Sequence, residues 1–437
     1  MEQQTVLIAS ALFNWSETQR MIEIGLEMHR RGHRVVFLGE GRFDHLLNGL
    51  PFVRERLEAD RRWYTPERIA KMLNMEKYGN QYTTYEELDD IVQAELELIA
   101  RYRPFVIVTG YRMTLTVSAR IAKVKLAWCL SAVVSKAYLE SVAAKRVVAF
   151  EALSRAEVKA LPYQQALELT TDRVMQKRAI LTCATSQVWN KYLVQHGCEP
   201  FCSDMDIYCG DLNLMSDARE LFPALPEIPN RTVFIGPILN SEVIPLSEAE
   251  KAALYAQNGR KKVLVSLGSA GSKRVLQTAL EALRTTDFEV FVSVIGFLTA
   301  DEVASYPPNF HFSEKYPLLE MAEHCDAALI QAGQGTLYAM LMGKCPFVSI
   351  PGPFEQRHNI TNLLENFGCA KRLYAAYLTS RQVAEAMHEV LTDPRYREEA
   401  ERAEALLRPY RTDPSRRAEV TAANQLEALG SIGSAAD

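Results

Sequence analysis

No segment of the chain approaches the run of about 18 apolar residues that a membrane-spanning helix needs. The first residues, MEQQTVLIASALF, have no basic stretch ahead of their short apolar run, so they do not read as a secretory leader. The expectation is a cytoplasmic protein with no transmembrane segment. Excess charge of one sign is also missing: 49 Lys and Arg against 54 Asp and Glu leave a net charge of −5. Without a bulk positive field, nucleic acid and anionic membrane drop out as partners. An acidic ligand has to be held locally, by helix N-termini and a few placed donors. Cysteine is scarce, with eight residues and no C-x-x-C, which argues against a disulfide framework. His196, Cys198, Cys202 and Cys209 form the one cluster. Its spacing fits no standard zinc site, so a strand and loop that contain thiols are expected there, with no metal and no cofactor. A G-x-G-x-x-G fingerprint is absent after the first apolar run, which argues against a nicotinamide dehydrogenase.

What is present is ordinary globular material: 437 residues, 48% hydrophobic and 24% charged, enough for two or three domains. Short apolar runs alternate with helical patterns. TVLIASALF (5–13) leads into an amphipathic stretch from Ser16 to Arg31, a C-cap glycine at Gly32, and the buried run VVFL. That is a βαβ opening, which implies a parallel sheet. FVIVTG (105–110), KLAWCLS (125–131) and AILTCAT (179–185) read as further strands. The charged segments 57–101 and 135–178 read as helices over this sheet. TVFIGPI (232–238) leads to a polar stretch, 239–262, taken as the linker. KVLVSLGS, FEVFVSVIG, FHFSEKYP, CDAALIQAG and PFVSIPGPF then form a second series of strands. The fold class is therefore α/β, with two Rossmann-like domains facing across a cleft. Residues 1–238 would form an N-terminal domain and 239–415 a C-terminal domain. A helix and tail over 416–437 would pack back on the first domain. Ligands in such folds bind outside the carboxyl ends of the strands.

Three strand-end turns of the second series carry polar groups. QAGQGT (331–336) has glycines that admit a close backbone approach, and Thr336 is placed to cap the next helix. It is either a phosphate site or a tight turn shaped by geometry alone. In PGPFEQRHN (351–359), Glu355 beside Gln356 can bond neighbouring sugar hydroxyls, or Glu355 can serve as a first-turn helix residue. SLGSAGS (266–272) is the third turn. In the first domain, Trp15, Trp63, Tyr64, Tyr78, Tyr82, Tyr85, Tyr111 and Trp128 either line one pocket or form core.

These residues resemble the GT-B glycosyltransferases, and within them the UDP-glycosyltransferase and macrolide-glycosyltransferase superfamily. FIGPI resembles the inter-domain junction, VLVSLGS the first donor-domain strand, and HCDAALIQAGQGT the His-Gly-Gly-x-Gly-Thr donor motif. PGPFEQRHN resembles the Asp-Gln loop, and MIEIGLEMHRRGHRVVFLG the opening of the acceptor domain. The resemblance implies an inverting, metal-independent transfer from a UDP- or dTDP-type nucleotide sugar, a co-substrate rather than a cofactor, to a small-molecule acceptor such as a natural product. It implies that Gly333, Gly335 and Thr336 meet the diphosphate with Ser269 near it from the other side, that Glu355 and Gln356 meet the sugar with Asn359 close by, and that the loop around Tyr316 and Pro317 faces the nucleobase. Gln331 stands where the family usually has His. The family's acceptor-activating His corresponds to Glu17 and its Asp partner to Gly110, so the familiar dyad is absent. Glu17 is then either the general base or a first-turn residue favoured by the helix dipole. Trp15 and Tyr111 are the acceptor-side aromatics, and His29 and His33 read as structural. The alternatives are a catalytically silent binding protein on this scaffold and a nucleotide-sugar epimerase.

Overall fold

A computed structural model describes the chain apart from residues 1–3, 13–14, 66–82, 141–179, 184, 224, 226–231, 239–244, 269–270, 295, 353, 376–377 and 434–437. The first sheet has seven parallel strands: β1 (Thr5–Ala9), β2 (Arg34–Leu38), β3 (Val53–Glu55), β4 (Val106–Thr109), β5 (Lys125–Leu130), β6 (Leu212–Met215) and β7 (Thr232–Phe234). Their order is β3-β2-β1-β4-β5-β6-β7. The second has six parallel strands: β8 (Lys262–Ser266), β9 (Glu289–Ser293), β10 (Phe310–Ser313), β11 (Ala327–Ile330), β12 (Phe347–Ser349) and β13 (Ala370–Arg372). Their order is β10-β9-β8-β11-β12-β13. In each sheet the order reverses beside the first strand. That is where two neighbouring strands send their loops apart and open a crevice for ligand.

Burial explains the continuous apolar runs. Val6 to Ala9, Val106 to Val108 and Ala327 to Ile330 are all inaccessible to solvent, as strands covered by helices on both faces must be. The helix Trp15–Arg30 returns the chain from β1 to β2, and Gly32, with φ +92°, makes the turn after it. A third core joins the domains: Ala132, Tyr138 and Met215 pack in one cluster with Ile330, Tyr338 and Ile360. The final helix, Ala418–Gly433, lies on Trp15–Arg30. Its Ala422, Ala423 and Leu426 are buried among Val6, Ile8 and Ile24 of the first domain. Arg31 and His33 both reach Glu427 on it, at 2.7 and 3.1 Å.

Several sequence expectations fail here for local reasons. The described residues of AILTCAT form no strand: Ile180 and Leu181 are helical, and Leu181 is 60% exposed. The strand that follows β5 is the short β6, and β13 is three residues long. Asn213 breaks the apolar run of β6, and Lys371 and Arg372 fill β13, so neither presents the continuous apolar pattern of the other strands. The expected linker is partly structured, because Leu246 and the Glu248–Tyr255 helix residue Leu254 are buried in a core with Leu264 and Phe291. Most of 135–178, and residues 66–82, fall outside the described residues.

Candidate active site

Strand register brings the site together. Ala9 of β1 lies beside Thr109 of β4, so Ser10 and Gly110 leave the sheet side by side. Leu130 of β5 pairs with Met215 of β6, so Ser131 and Ser216 do the same. Across the cleft, Ile330 of β11 lies beside Ser266 and Ser349, so Gln331 departs next to the loops after β8 and β12.

Glu17, in the first turn of Trp15–Arg30, is wholly buried at the first of these junctions. Its Oε2 accepts from Ser10 Oγ at 2.5 Å. Its side chain lies over Gly110: a Cβ built there would fall 2.5 Å from Glu17 Cγ and 2.7 Å from Oε1. The glycine in the position of the missing Asp is thus the space the Glu17 carboxyl occupies. Burial raises the Glu17 pKa to about 7, against the opposing pull of Ser10, Arg20 and the backbone of Ala11 and Tyr111. The loop below is fixed by Arg112, which is buried and donates to both oxygens of Asp60 at 2.6 and 2.8 Å and to Glu95 at 2.7 Å. Half-buried Tyr111 lies beside Glu17, Arg20 and Glu355 at the cleft wall.

The donor-side loop faces this wall. Gly333 is the N-cap of Gln334–Met342, with φ −58°, and Gly335 is helical. Neither conformation requires glycine. A Cβ at Gly333 would meet nothing nearer than Gln356 Nε2 at 3.8 Å, and one at Gly335 nothing nearer than Ser16 Oγ at 3.7 Å. With no structural demand for glycine at either place, open room over a helix N-terminus is what the two residues supply. The left-handed residue in this loop is Ala332, with φ +63°. Arg103 and Lys123 take positive φ as helix C-caps, and Lys344 follows the C-cap Gly343. Leu12 and Ala332 instead hold it in the two loops that meet at the cleft. Backbone strain of about 1–3 kcal/mol tends to gather at functional sites. Asn359 Nδ2 braces Ala332 by donating to its carbonyl at 3.2 Å.

The remaining expected residues within the described part are placed as follows. Gln331 is buried, its Nε2 directed at the Gly352 turn. Gln356 is buried and accepts from Gly352 N at 3.0 Å. Glu355 is half-buried, and burial and Asp217 push its pKa up while Arg20 and Ser131 oppose them. Thr336 is not a cap: it is the third helical residue, and the N-cap Gly333 has no side chain to offer. Tyr316 does not face an open nucleobase site. Its ring is 1% exposed, packed edge-on to Phe291, and its hydroxyl donates to His311 O at 3.0 Å. Trp15 stands at the cleft mouth with Lys315 Nζ 3.0 Å from its ring centre, a cation–π contact between the domains. Trp128 is core, Trp63 bonds Asp90, Tyr64 lies beside Arg112 and Asp60, and Tyr85 packs on Tyr192, so of the expected aromatics that are described Trp15 and Tyr111 border the cleft. Ser269, Tyr78 and Tyr82 lie outside the described residues. His196 stacks on Tyr192, and among the described residues no group of three or more His, Cys, Asp or Glu is arranged to hold a metal ion.

Sequence reasoning missed the inter-domain polar contacts. Arg20 is buried and donates to Gln334 Oε1 at 2.7 Å and Ser216 Oγ at 2.9 Å. Tyr338 Oη donates to Asp217 at 2.8 Å and accepts from Ala218 N. Arg20 was legible by spacing alone, three residues after Glu17 and so on the same helix face.

The second domain matches the family model for the C-terminal domain of erythromycin biosynthesis protein CIII-like proteins over residues 277–420. That match includes both the 331–336 and 355–359 loops. A PGL/p-HBAD biosynthesis glycosyltransferase of Mycobacterium tuberculosis (strain ATCC 25177 / H37Ra) is 23% identical over 409 residues, 91% of this chain and 87% of the relative. Among solved structures, the glycotransferase of kitacinnamycin is 18% identical with a TM-score of 0.70, covering 98% of this chain and all of that one. The glycosyltransferase VinC, in complex with dTDP, is 15% identical with a TM-score of 0.63 over 98% of this chain and all of that one. At these identities the structural likeness establishes the shared two-domain architecture.

Proposed function

We propose that this chain, a glycosyltransferase of the GT-B fold, transfers a sugar with inversion from a UDP- or dTDP-type nucleotide sugar to a small-molecule acceptor of the natural-product kind. The observation that carries this reading is the placement of Glu17 and the 331–336 loop on opposite walls of one cleft, with Ser16 against Gly335 and Arg20 bonded to Gln334. A hydroxyl held at Glu17 would lose its proton to the carboxylate. Its oxygen would attack the anomeric carbon from the side away from the diphosphate, and the sugar–phosphate bond would break in line. The leaving charge would develop at the N-terminus of Gln334–Met342, where free N–H groups and the helix dipole stabilise it. The reading calls on no metal. Glu355 and Gln356, one loop further on, would hold the sugar.

The dTDP in the VinC complex and the donor-side open glycines support a nucleotide diphosphate ligand. Thermal shift against UDP-, dTDP- and GDP-sugars tests it, because a ligand bound by the folded state raises the melting temperature by mass action. A shift with none of them would remove the donor reading if donor consumption were also absent.

Two variants locate the donor. Gly335→Val is expected to stay folded, since its added atoms begin at ordinary contact distance from Ser16, yet to weaken nucleotide binding at least tenfold by filling the approach to the helix N-terminus. Calorimetric titration of UDP and dTDP checks this, and an unchanged affinity counts against phosphate binding at 331–336. Glu355→Ala is expected to weaken the intact nucleotide sugar more than the free nucleotide, by about 1.5–3 kcal/mol per lost bond to a charged group. Equal losses for both ligands would show that Glu355 acts away from the sugar.

A further inference from the structure

Arg20 has features that helix packing does not explain. It is 4% exposed, at a point where the two domains meet. One terminal nitrogen serves Gln334 Oε1 in the donor-side helix and Ser216 Oγ at the end of β6, while its Nε is buried with no hydrogen-bond partner. Gln334 is fixed in turn, because its Nε2 donates to Ser216 O at 3.0 Å. Burying a cation and an unsatisfied donor is costly, so hydrophobic packing alone would not select arginine here. The guanidinium lies among charged and titratable groups from both domains. They are Glu17 on its own helix, Tyr111 after β4, Cys129 on β5, and Glu355 across the cleft. Glu17 itself faces Arg20 on its helix, Ser10 after β1, the backbone of Ala11 and Tyr111, and Cys129.

We infer that Arg20 is a positioning residue that joins the two halves of the active site, docking the donor loop through Gln334 and setting a fixed positive charge beside the acceptor-side carboxylate. The inference rests on the reading of Glu17 as the base, and goes beyond it by making that base respond to docking of the donor domain. Where the domains are docked, Gln334 holds the guanidinium in place. The cation then favours the anionic form of Glu17, the form that accepts a proton. It also favours the anionic form of Glu355, so the sugar-binding carboxylate and the base share one counter-ion.

Two measurements test this. The first is a double-mutant cycle of Arg20→Met and Gln334→Ala on the dissociation constants of UDP and dTDP, with melting temperature and circular dichroism as folding controls. Each single change is expected to weaken the nucleotide several-fold, and the double change no more than the worse single one. Independent, multiplying losses would overturn the docking role. The second is the pH dependence of turnover in Arg20→Met and Arg20→Lys. Loss of the cation is expected to move the acidic limb upward by about one pH unit, the low end of what an adjacent opposite charge does. Lysine should leave the limb near its original place while still weakening the nucleotide, because its ammonium sits on a shorter stem than the terminal guanidinium nitrogen that bonds both Gln334 and Ser216. An acidic limb unmoved in Arg20→Met would overturn the electrostatic role. The binding cycle involves no turnover, so it stands or falls separately from Glu17, whose own role is decided by Glu17→Gln.

Discussion

Glu17→Gln is expected to lower turnover by roughly 10²–10⁴ while nucleotide affinity stays nearly unchanged. The amide keeps the shape of the side chain and can still meet Ser10, but it cannot take a proton from the acceptor. The pH profile supplies a second signature. With its pKa raised to about 7, Glu17 is protonated and inactive as a base below that pH. Activity should therefore rise through neutrality in the native protein, and that limb should vanish in the variant. Stability should move the other way. The folded pKa lies above the ordinary carboxylate value of 4.5, so the folded state binds more protons than the unfolded chain between the two values. The cost of burying the charge is absent below pH 4.5, grows as pH rises, and is complete above about 7. The variant escapes that cost, so its gain in melting temperature should widen across the same interval. Turnover within a few-fold of the native protein would point to an acceptor acidic enough to need no base.

The contrast between what the sequence shows and what the fold adds is sharpest at this site. The two series of strands and the order of the polar turns were readable because a strand buried on both faces must be continuously apolar, and because a βα turn concentrates glycine and small polar residues. The position of Glu17 was readable through the resemblance, which sets it where the family has its acceptor-activating His. Its environment was not. That Gly110 vacates the space for the carboxyl depends on the pairing of Ala9 with Thr109, which brings together residues a hundred positions apart. Arg20 and Gln334 are 314 residues apart, and no local pattern announces such a contact. Tyr316 misled for a related reason. The resemblance sets its loop toward the nucleobase, but the turn after β10 directs this ring inward to Phe291 and spends its hydroxyl on a backbone carbonyl. Thr336 misled by one turn of register, since the helix starts two residues before it.

Gly110→Ala is expected to cut turnover tenfold or more with little loss of stability. The new methyl would lie within 3 Å of Glu17 Cγ and Oε1, closer than such contacts occur, and the yielding partner is a side chain rather than backbone. The fold therefore adjusts, but the carboxyl leaves its place beside Ser10, which a lengthened or lost bond would reveal. Gly110→Asp should be more damaging still. It fills the same space and sets a second carboxylate against the first, and like charges at that distance disfavour ionisation of both. The paired change Glu17→His with Gly110→Asp tests whether the two positions form one unit. By resemblance it rebuilds the His–Asp arrangement in the same slot, where the Asp would orient the imidazole and favour its charged form. Turnover in the pair should exceed that of Gly110→Asp alone by at least tenfold, and its acidic limb should report an imidazole rather than a carboxyl. If the pair is no better than the worse single change, the two positions are not interchangeable as a unit. If Gly110→Ala retains turnover within twofold, the location of the Glu17 carboxyl does not matter to the reaction. The coupling is what the geometry predicts: a glycine selected for the side chain it makes room for, and a carboxylate made basic by the burial that glycine allows.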